Sequence, residues 1–220
     1  MYHGIAERPQ GVWDLAASEL AAHVKAFPEQ GLRVGSVDET LTGCVNTIVM
    51  TFDDAYASVY DHAWPALHSG GVTGTVFVPV NYVGGLNTYD CLSSFGPRQP
   101  AQIMTWAQLR ELADAGWSIQ SHGCSHFPVG ILAKEYLADD LRRSKQTIED
   151  HVGREVTGFA YPFGVSDRLD AEFDLEEILR SSGYRYAVTA NGGWFTTPPQ
   201  RPFFIPRHPA RSGLALPSPD

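Results

Sequence analysis

The sequence has few cysteines, no long apolar run and few basic residues, and each deficit excludes a class of protein. Its three cysteines, Cys44, Cys91 and Cys124, are odd in number and widely spaced, so no disulfide framework is predicted. No stretch is apolar for long enough to form a transmembrane helix, and the first residues lack the basic region and apolar core of a signal peptide. We therefore expect a cytoplasmic protein, or a secreted one if the numbering begins after a removed leader.

The charge balance is acidic. The 16 Lys and Arg residues against 25 Asp and Glu residues give a formal net charge of −9, which argues against nucleic-acid binding because that function requires a basic patch. With 43% hydrophobic and 19% charged residues, the composition is that of a globular protein. A chain of 220 residues is long enough for one α/β domain with a sizeable core. Composition does not specify the substrate or the oligomeric state.

Apolar runs of strand length alternate with segments of helical periodicity along most of the chain. Strands are predicted at 33–36, 46–52, 73–80, 117–121, 156–161, 185–190 and 203–206, and helices at 13–27, 55–69, 105–115, 134–151 and 171–182. Regular alternation of this kind predicts a parallel sheet covered by helices. The Pro-rich residues 212–220 are predicted to be a loosely held tail.

Two histidines four residues apart, His122 and His126, follow the predicted strand 117–121. If the chain turns helically after the strand, this spacing places both imidazoles on one side. Two imidazoles begin a metal site, but tetrahedral zinc needs at least a third protein ligand. Taken alone, such a pair is more often a pair of hydrogen-bonding or packing residues.

Two adjacent acids, Asp53 and Asp54, end the apolar run 46–52. One of them could complete a His–His–carboxylate site that leaves coordination positions open for water and substrate. The other would then lie where a general base is needed. The alternative is that Asp54 only caps the helix predicted at 55–69, although this does not explain why two acids end an apolar strand.

Three motifs taken together resemble the polysaccharide deacetylase (NodB-homology) family of carbohydrate esterases. They are TFDD at 51–54, HGCSH at 122–126 and FAYPFG at 159–164, which occur in the order and spacing of that family. The resemblance covers roughly residues 46–208. It implies a distorted, incomplete (β/α) barrel with parallel strands and covering helices, in which the site lies at the C-terminal ends of the strands. Residues 1–211 would form this single deacetylase domain.

The resemblance also implies a role for each site residue. Asp54, His122 and His126 would hold one divalent metal ion, and Asp53 would be the general base. Zinc is favoured by the ligand types, and nickel, cobalt and iron suit the same donors. The implied reaction is hydrolysis of an acetyl group, an amide or an ester, on an acetylated sugar or glycan.

The FAYPFG motif and the sequence after it depart from the family pattern. The resemblance implies that Tyr161 and Phe163 line the site and that a backbone N–H at Phe163 faces the developing oxyanion, so Phe in place of the usual Tyr is tolerable. Ala160 stands where many relatives have an arginine that orients the catalytic carboxylate. Arg207 is a candidate substitute, or a candidate substrate contact, and its alternative is ordinary solvent exposure.

Two further departures concern the histidines. Gly123 replaces the Ser or Thr that usually follows the first ligand, which removes one hydrogen bond within the loop. The late Leu-x-x-His motif, whose histidine helps as general acid, is not found. His3 in Met1-Tyr2-His3-Gly4 is our candidate for that acid, because this element resembles the start of the circularly permuted relatives similar to poly-N-acetylglucosamine deacetylases. His208, after the strand predicted at 203–206, is its rival.

Two other functions are compatible with parts of the sequence. A His–His–carboxylate site serves non-haem iron(II) oxygenases, but these have a His-x-Asp/Glu pair on a β-sandwich, and neither is evident here. A carbohydrate-binding relative without activity would explain the missing motifs, although the retained base and ligands argue against it. The long irregular segment 81–104 carries several aromatic residues, which either stack on sugar rings or only pack over the rim of the barrel.

Overall fold

A computed structural model gives the structure of residues 1–9, 13–89, 100–165, 169–170 and 174–211. The predicted tail 212–220, the central part of the segment 81–104 and Cys91 lie outside the described residues. None of the described helices is both long and apolar enough to cross a membrane.

Strands and helices alternate along most of the chain, as predicted. The strands are β1 (Ile5–Ala6), β2 (Leu15–Ala16), β3 (Arg33–Gly35), β4 (Thr47–Val49), β5 (Thr51–Phe52), β6 (Thr75–Val78), β7 (Ser118–Ser121), β8 (Gly158–Ala160) and β9 (Tyr186–Val188). The α-helices are α1 (Ala17–Glu29), α2 (Val37–Leu41), α3 (Trp64–His68), α4 (Trp106–Asp114), α5 (Lys134–Val152) and α6 (Leu175–Ser181). A π-helical turn, Val59–Ala63, precedes α3, and short 3₁₀ turns occur at Val80–Tyr82 and Val129–Ile131.

The centre of the molecule is a curled five-stranded parallel sheet with the order β5-β6-β7-β8-β9. The inner strand β6 reads Thr-Val-Phe-Val and is buried at all four positions, as expected for a β-branched run covered on both faces. Because all five strands run in one direction, the residues that follow them meet at one edge of the sheet. The predicted incomplete (β/α) barrel is confirmed.

Short backbone bridges extend this sheet on both sides. Tyr2 pairs in parallel with Phe52 beside β5. On the other side, Ile205 pairs in parallel with Val188 of β9. The prediction of a strand at 203–206 is therefore wrong in extent, because Ile205 alone among these residues makes a strand-like bridge.

The two bridging segments meet each other across the opening of the incomplete barrel. The Met1 nitrogen donates a hydrogen bond to the His208 carbonyl at 2.8 Å. The Ala210 N–H donates in turn to the Met1 carbonyl at 2.8 Å. The opening between β5 and β9 is thus spanned by irregular segments from opposite ends of the described chain.

The helix predicted at 13–27 begins only at Ala17, because Leu15–Ala16 form β2. Two further predicted elements differ from the structure, and both of these differences lie next to the acids. The strand predicted at 46–52 is divided, because β4 pairs with β3 in a separate two-stranded sheet and only β5 enters the barrel. The helix predicted at 55–69 starts at residue 57 and then passes through the π-helical turn Val59–Ala63. Asp54 and Ala55 have φ angles of 70° and 54°, so the alternative that Asp54 caps this helix is wrong.

Helix α5 is the longest described helix, with 19 residues. Its buried side chains recur every three or four residues and form one stripe, which packs on β7. The buried residues are Leu137, Leu141, Ser144, Ile148 and Val152. The helix ends where Gly153 takes a φ of 69°, the left-handed conformation common after a helix C-terminus.

Candidate active site

Asp54, His122 and His126 come together at the C-terminal edge of the parallel sheet. Asp54 lies just after β5, and His122 directly follows β7. One potential ligand atom from each residue lies within 4.8 Å of the others, and all three residues are buried. Asp54 Oδ1 is 3.0 Å from His126 Nε2 and 3.6 Å from His122 Nε2. The two motifs that the sequence analysis combined therefore form one cluster.

The arrangement of these atoms fits a bound cation. His122 Nδ1 donates to the Ala160 carbonyl at 2.7 Å, which leaves the Nε2 lone pair directed toward Asp54. Asp54 Oδ1 is buried and accepts no well-oriented hydrogen bond from the described residues, although two nitrogens are close. Buried polar atoms normally have hydrogen-bond partners. Three potential ligand atoms that converge without such bonds therefore fit a metal ion better than a hydrogen-bond network.

The ionisation of the cluster also suits metal binding. Burial, followed by the nearby His126, lowers the pKa of His122 to about 4, so its imidazole is neutral at pH 7. Burial alone would raise the pKa of Asp54, but the interactions with His126, His3 and His122 together outweigh burial and lower the pKa overall. A neutral imidazole and an ionised carboxylate are the forms in which these groups bind metals.

The segment between the two histidines is an irregular loop, so the expectation of a helical turn there is wrong. His126 has a φ of 55°, which turns its ring back toward His122, and the two ring centroids are 4.8 Å apart. Positive φ angles recur at Asp54 (70°) and Phe163 (62°). Such conformations cost about 1–3 kcal/mol each for non-glycine residues and concentrate at functional sites.

Asp53 lies beside the cluster and pairs with Arg207. The guanidinium donates from Nη1 to Oδ1 at 2.6 Å and from Nη2 to Oδ2 at 2.7 Å. It also donates to the Thr51 hydroxyl at 3.1 Å and to the Thr189 carbonyl at 2.9 Å. The Asp53 and Arg207 side chains are only 4% and 6% exposed. A buried bidentate pair fixes the plane of the carboxylate.

Arg207 is therefore placed to orient Asp53, as an arginine at the position of Ala160 does in many relatives. The residue is 7% exposed, so the alternative of ordinary solvent exposure is wrong, and a contact of Arg207 with substrate stays a prediction. The pair also controls ionisation. Burial raises the pKa of Asp53, but the charge and hydrogen bonds of Arg207, together with the nearby His122 and His3, outweigh burial and lower the pKa overall.

We expect Arg207→Met to destabilise the fold by about 3–5 kcal/mol at pH 7, because it leaves the buried Asp53 carboxylate without its partner. The folded-state pKa of Asp53 is depressed, so the pair stabilises the fold above the ordinary carboxyl pKa, and this contribution is lost as the pH falls. Denaturant unfolding at pH 7 and at lower pH measures both effects.

The control for this prediction is Arg185→Met, which removes an exposed arginine paired with Glu155 at 3.3 Å and should change stability by less than about 1 kcal/mol. The double variant Asp53→Asn/Arg207→Met should recover part of the loss, since no buried charge remains. Equal destabilisation by Arg207→Met and Arg185→Met would contradict the structural importance of the pair.

The two candidates for the general acid have different surroundings. His3 packs against Trp13 with ring centroids 4.9 Å apart, and its buried Nδ1 has no hydrogen-bond partner among the described residues. Burial lowers the pKa of His3, and the nearby charges of Asp54 and Asp53 oppose that shift. His3 thus lies within electrostatic reach of both acids.

His208 lies elsewhere. Its ring is 5.3 Å from that of Trp194, and both residues line a cavity of about 650 Å³ that contains none of the ligand cluster. Its pKa is lowered by burial and then by the amino group at Met1, with no contribution from either acid. The structure brings His3, and not His208, toward the cluster.

Phe163 lies on the other side of the cluster, in a turn closed by the Gly164 N–H donating to the Tyr161 carbonyl at 3.0 Å. The Phe163 ring is 62% exposed and meets His126 edge-on at 4.9 Å. Among the described residues, no acceptor binds the Phe163 N–H, so this donor is available to a substrate.

The side chain of Tyr161 does not reach the site, which corrects the expectation that it lines it. It is 2% exposed and packs against Phe159 and Phe204. Burial raises the pKa of its hydroxyl, and the charged groups that modify this shift are Asp170, Arg201 and Glu176 rather than any site residue. Tyr161 is a core residue whose backbone supports the turn before Phe163.

Tyr89 is one of the aromatic residues of the segment 81–104, and the structure places it beside the cluster. Its ring stacks on His126 with centroids 4.0 Å apart, and Tyr82 packs edge-on against Tyr89. The Tyr82 hydroxyl donates to the Ser125 carbonyl at 3.4 Å. In the described part of the segment 81–104, these two aromatic residues pack on the histidine loop. No periodicity connects residue 89 with residue 126, so only the broad aromatic content of the segment pointed to it.

Cys124, between the two histidines, is not part of the ligand cluster. It is 2% exposed and its thiol donates to the Asp140 carbonyl at 3.4 Å. Burial raises the pKa of the thiol to about 12, so it remains protonated at neutral pH. Its interpretation as a small buried residue is confirmed.

Known proteins share both the sequence pattern and the fold. The chain is 24% identical over 203 residues to YxkH of Bacillus subtilis, a polysaccharide deacetylase by name, covering 88% of this chain and 64% of that protein. It is 22% identical over 152 residues to the poly-beta-1,6-N-acetyl-D-glucosamine N-deacetylase of Staphylococcus epidermidis, covering 65% of this chain and 47% of that protein. The chain thus spans about half to two thirds of the length of these curated relatives.

Among solved structures, IcaB from Ammonifex degensii superposes with a TM-score of 0.79 at 22% identity, covering 96% of this chain and 91% of IcaB. This likeness shows a common fold. The family model described as polysaccharide deacetylase matches residues 41–187, which is more than half of the chain and includes the acids, both histidines and the FAYPFG turn. The chain therefore belongs to the polysaccharide deacetylase family.

Proposed function

We propose that this protein is a metal-dependent hydrolase that removes an acetyl group, in the first place the N-acetyl group of an amino sugar or glycan. The observation that carries the proposal is the buried Asp54–His122–His126 cluster beside Asp53, a carboxylate that Arg207 keeps oriented and ionised. A ligand cluster alone fits many enzymes. A ligand cluster with an adjacent fixed base fits hydrolysis by an activated water molecule.

Asp54, His122 and His126 would hold one divalent ion, and zinc suits two imidazoles and one carboxylate. When bound, such an ion supplies Lewis-acid chemistry, since it lowers the pKa of a water molecule and stabilises negative charge on the acetyl oxygen. Three protein ligands leave coordination positions for water and substrate.

Asp53 would accept the proton of the attacking water. Its two oxygens each receive one hydrogen bond from Arg207, and an ionised carboxylate has about four lone-pair sites, so acceptor capacity remains. The bidentate contact prevents rotation of the carboxylate. Proton transfer to a fixed base of this kind contributes about 10²–10⁴-fold to a rate.

Phe163 and His3 would complete the reaction on either side of the acetyl group. The Phe163 N–H would donate to the oxygen that becomes negative, an interaction that contributes a few kcal/mol in other hydrolases. His3 in its imidazolium form would donate its proton to the nitrogen of the departing amine, because this nitrogen cannot leave a tetrahedral intermediate as an anion. The products are acetate and a free amino sugar.

A second candidate is a carbohydrate-binding relative without catalysis. The Asp53–Arg207 pair argues against this candidate, since a buried ion pair beside the ligand cluster has no evident role in sugar binding. For the substrate class, the Staphylococcus epidermidis relative acts by its name on poly-β-1,6-N-acetyl-D-glucosamine, and we propose N-acetylglucosamine polymers for this chain.

The test is acetate release from β-1,6-linked N-acetylglucosamine oligomers by the zinc-loaded protein. Hydrolysis of the amide must release acetate and expose primary amine in equal amounts, whereas acetylated xylan, an ester, releases acetate without amine. Chelation should abolish the activity and added zinc should restore it. We expect His122→Ala to be inactive and His68→Ala, at an exposed position, to be unaffected. Zinc binding without acetate release from either substrate would favour the non-catalytic alternative.

A further inference from the structure

The loop between the two histidines is held by side chains of α5. Gly123 has no side chain where the family usually has Ser or Thr. Instead, Asp140 Oδ2 accepts a hydrogen bond from the Cys124 N–H at 2.8 Å, and Asp140 Oδ1 accepts one from the Ser125 hydroxyl at 3.2 Å. One carboxylate thus binds the two residues that directly precede His126.

A second contact with α5 lies one helical turn further along. The Ser144 hydroxyl is 2.8 Å from the Ser121 hydroxyl, which accepts a hydrogen bond from the Gly123 N–H at 3.1 Å. Residues four apart on a helix lie on the same face, so Asp140 and Ser144 act on the loop from one surface. The start and the end of the loop are therefore both held by the same rigid element.

The closeness of this contact explains the glycine. Gly123 has a φ of 80°, and a Cβ atom there would lie 2.8 Å from Asp140 Oδ2. A Ser or Thr at this position cannot coexist with the observed place of the Asp140 carboxylate. Gly123 and Asp140 are thus two parts of one arrangement, in which a carboxylate from the helix replaces a hydroxyl from the loop.

We propose that Asp140 is a positioning residue that fixes the spacing of His122 and His126 and thereby sets the affinity of the site for its divalent ion. This rests on the proposed function in one respect, since it takes these histidines and Asp54 as the metal ligands. Asp140 itself acts only through the loop. Groups that orient metal ligands in this indirect way typically change metal affinity by about 10–100-fold when they are removed.

The experiment compares Asp140→Ala with Asp139→Ala. Asp139 precedes Asp140 on α5 and is also an aspartate, but its side chain is 56% exposed and pairs with surface arginines at 3.8 and 4.0 Å. Zinc dissociation constants are measured by competition with a chromophoric chelator, and the Tm of each metal-free protein is measured in EDTA. We expect Asp140→Ala to raise the Kd for zinc by about 10–100-fold and Asp139→Ala to leave it within about twofold.

Two further variants keep the test decisive if Asp140→Ala folds poorly. Asp140→Asn keeps the shape and one acceptor, so we expect an intermediate Kd. Gly123→Ala leaves Asp140 itself intact and should also raise the Kd for zinc, because the added methyl group would lie 2.8 Å from Asp140 Oδ2.

The outcomes are separable. If the wild type does not bind zinc, the proposed metal site and this inference both fail. If the wild type binds zinc and Asp140→Ala binds it equally well, only the inference fails. A lower Tm of the metal-free Asp140→Ala protein with an unchanged Kd would show that Asp140 stabilises the fold without positioning the ligands, and would also overturn the inference.

Discussion

Asp53→Asn is expected to lower the deacetylation rate by about 10²–10⁴-fold while the metal content of the protein stays unchanged, whereas Asp54→Asn should lose both. The reason lies in the contacts of the two carboxylates. Asp54 Oδ1 lies within 3.6 Å of both histidine Nε2 atoms, but Asp53 is turned toward Arg207. Adjacent acids therefore point to different partners, and their substitutions should separate metal binding from proton transfer.

Metal content is measured by elemental analysis after dialysis, and rates are measured on the same N-acetylglucosamine oligomer with zinc in excess. Asp114→Asn, at a side chain that is 75% exposed, is the control and should match the wild type in both measurements. Unfolding curves of all variants show whether the unpaired Arg207 destabilises Asp53→Asn. Equal loss of metal from the Asp53 and Asp54 variants would contradict the assignment of base and ligand.

His3→Ala is the second substitution with a large expected effect, a loss of about 10²–10⁴-fold in amide hydrolysis without a change in the Kd for zinc. His3 is within electrostatic reach of Asp53 and Asp54, and its Nδ1 has no partner in the described part of the chain. His208→Ala is the matched control, because that histidine packs against Trp194 in a different cavity. We expect it to stay within about threefold of the wild type.

The rate of aryl acetate hydrolysis distinguishes a general acid from a residue that only maintains the shape of the site. A phenolate leaves without being protonated, so its release does not need a general acid. We expect His3→Ala to retain most of its aryl acetate hydrolysis while amide hydrolysis is lost. Equal losses on both substrates would count against His3 as the acid, and a loss confined to His208→Ala would transfer the role to His208.

The ligand cluster was predictable because its signal is local. Asp54 ends an apolar strand, and His122 follows another, so the parallel order of the strands was enough to bring them to one edge of the sheet. The prediction of a helical turn after His122 was wrong, yet the two imidazoles are neighbours because a positive φ at His126 turns its ring back. The spacing of the two histidines thus correctly indicated that their rings are neighbours, although the backbone between them is not helical.

The environment of the cluster was harder to predict, because it depends on residues that are distant in sequence. The pairing of Arg207 with Asp53 could be offered only as a candidate, and nothing near Asp140 marks it as a partner of the histidine loop. The division of the predicted strand 46–52 also has no local signal, since both parts are apolar. It arises because β3 pairs with Thr47–Val49 and leaves only two residues for the barrel.

Segments from opposite ends of the described chain span the opening of the barrel, and this arrangement has a consequence for biosynthesis. Arg207 follows Asp53 by 154 residues, so at about 5–20 residues per second roughly 8–30 s pass between their translation. During this interval a nascent chain cannot bury the Asp53 carboxylate without a large desolvation penalty. The histidine ligands are also translated well before Arg207, and contacts of such long range form slowly. A chain terminated before Arg207 would therefore contain every proposed metal ligand but lack the arginine that orients the proposed base, so the proposed activity would require the segment that carries Arg207 to dock.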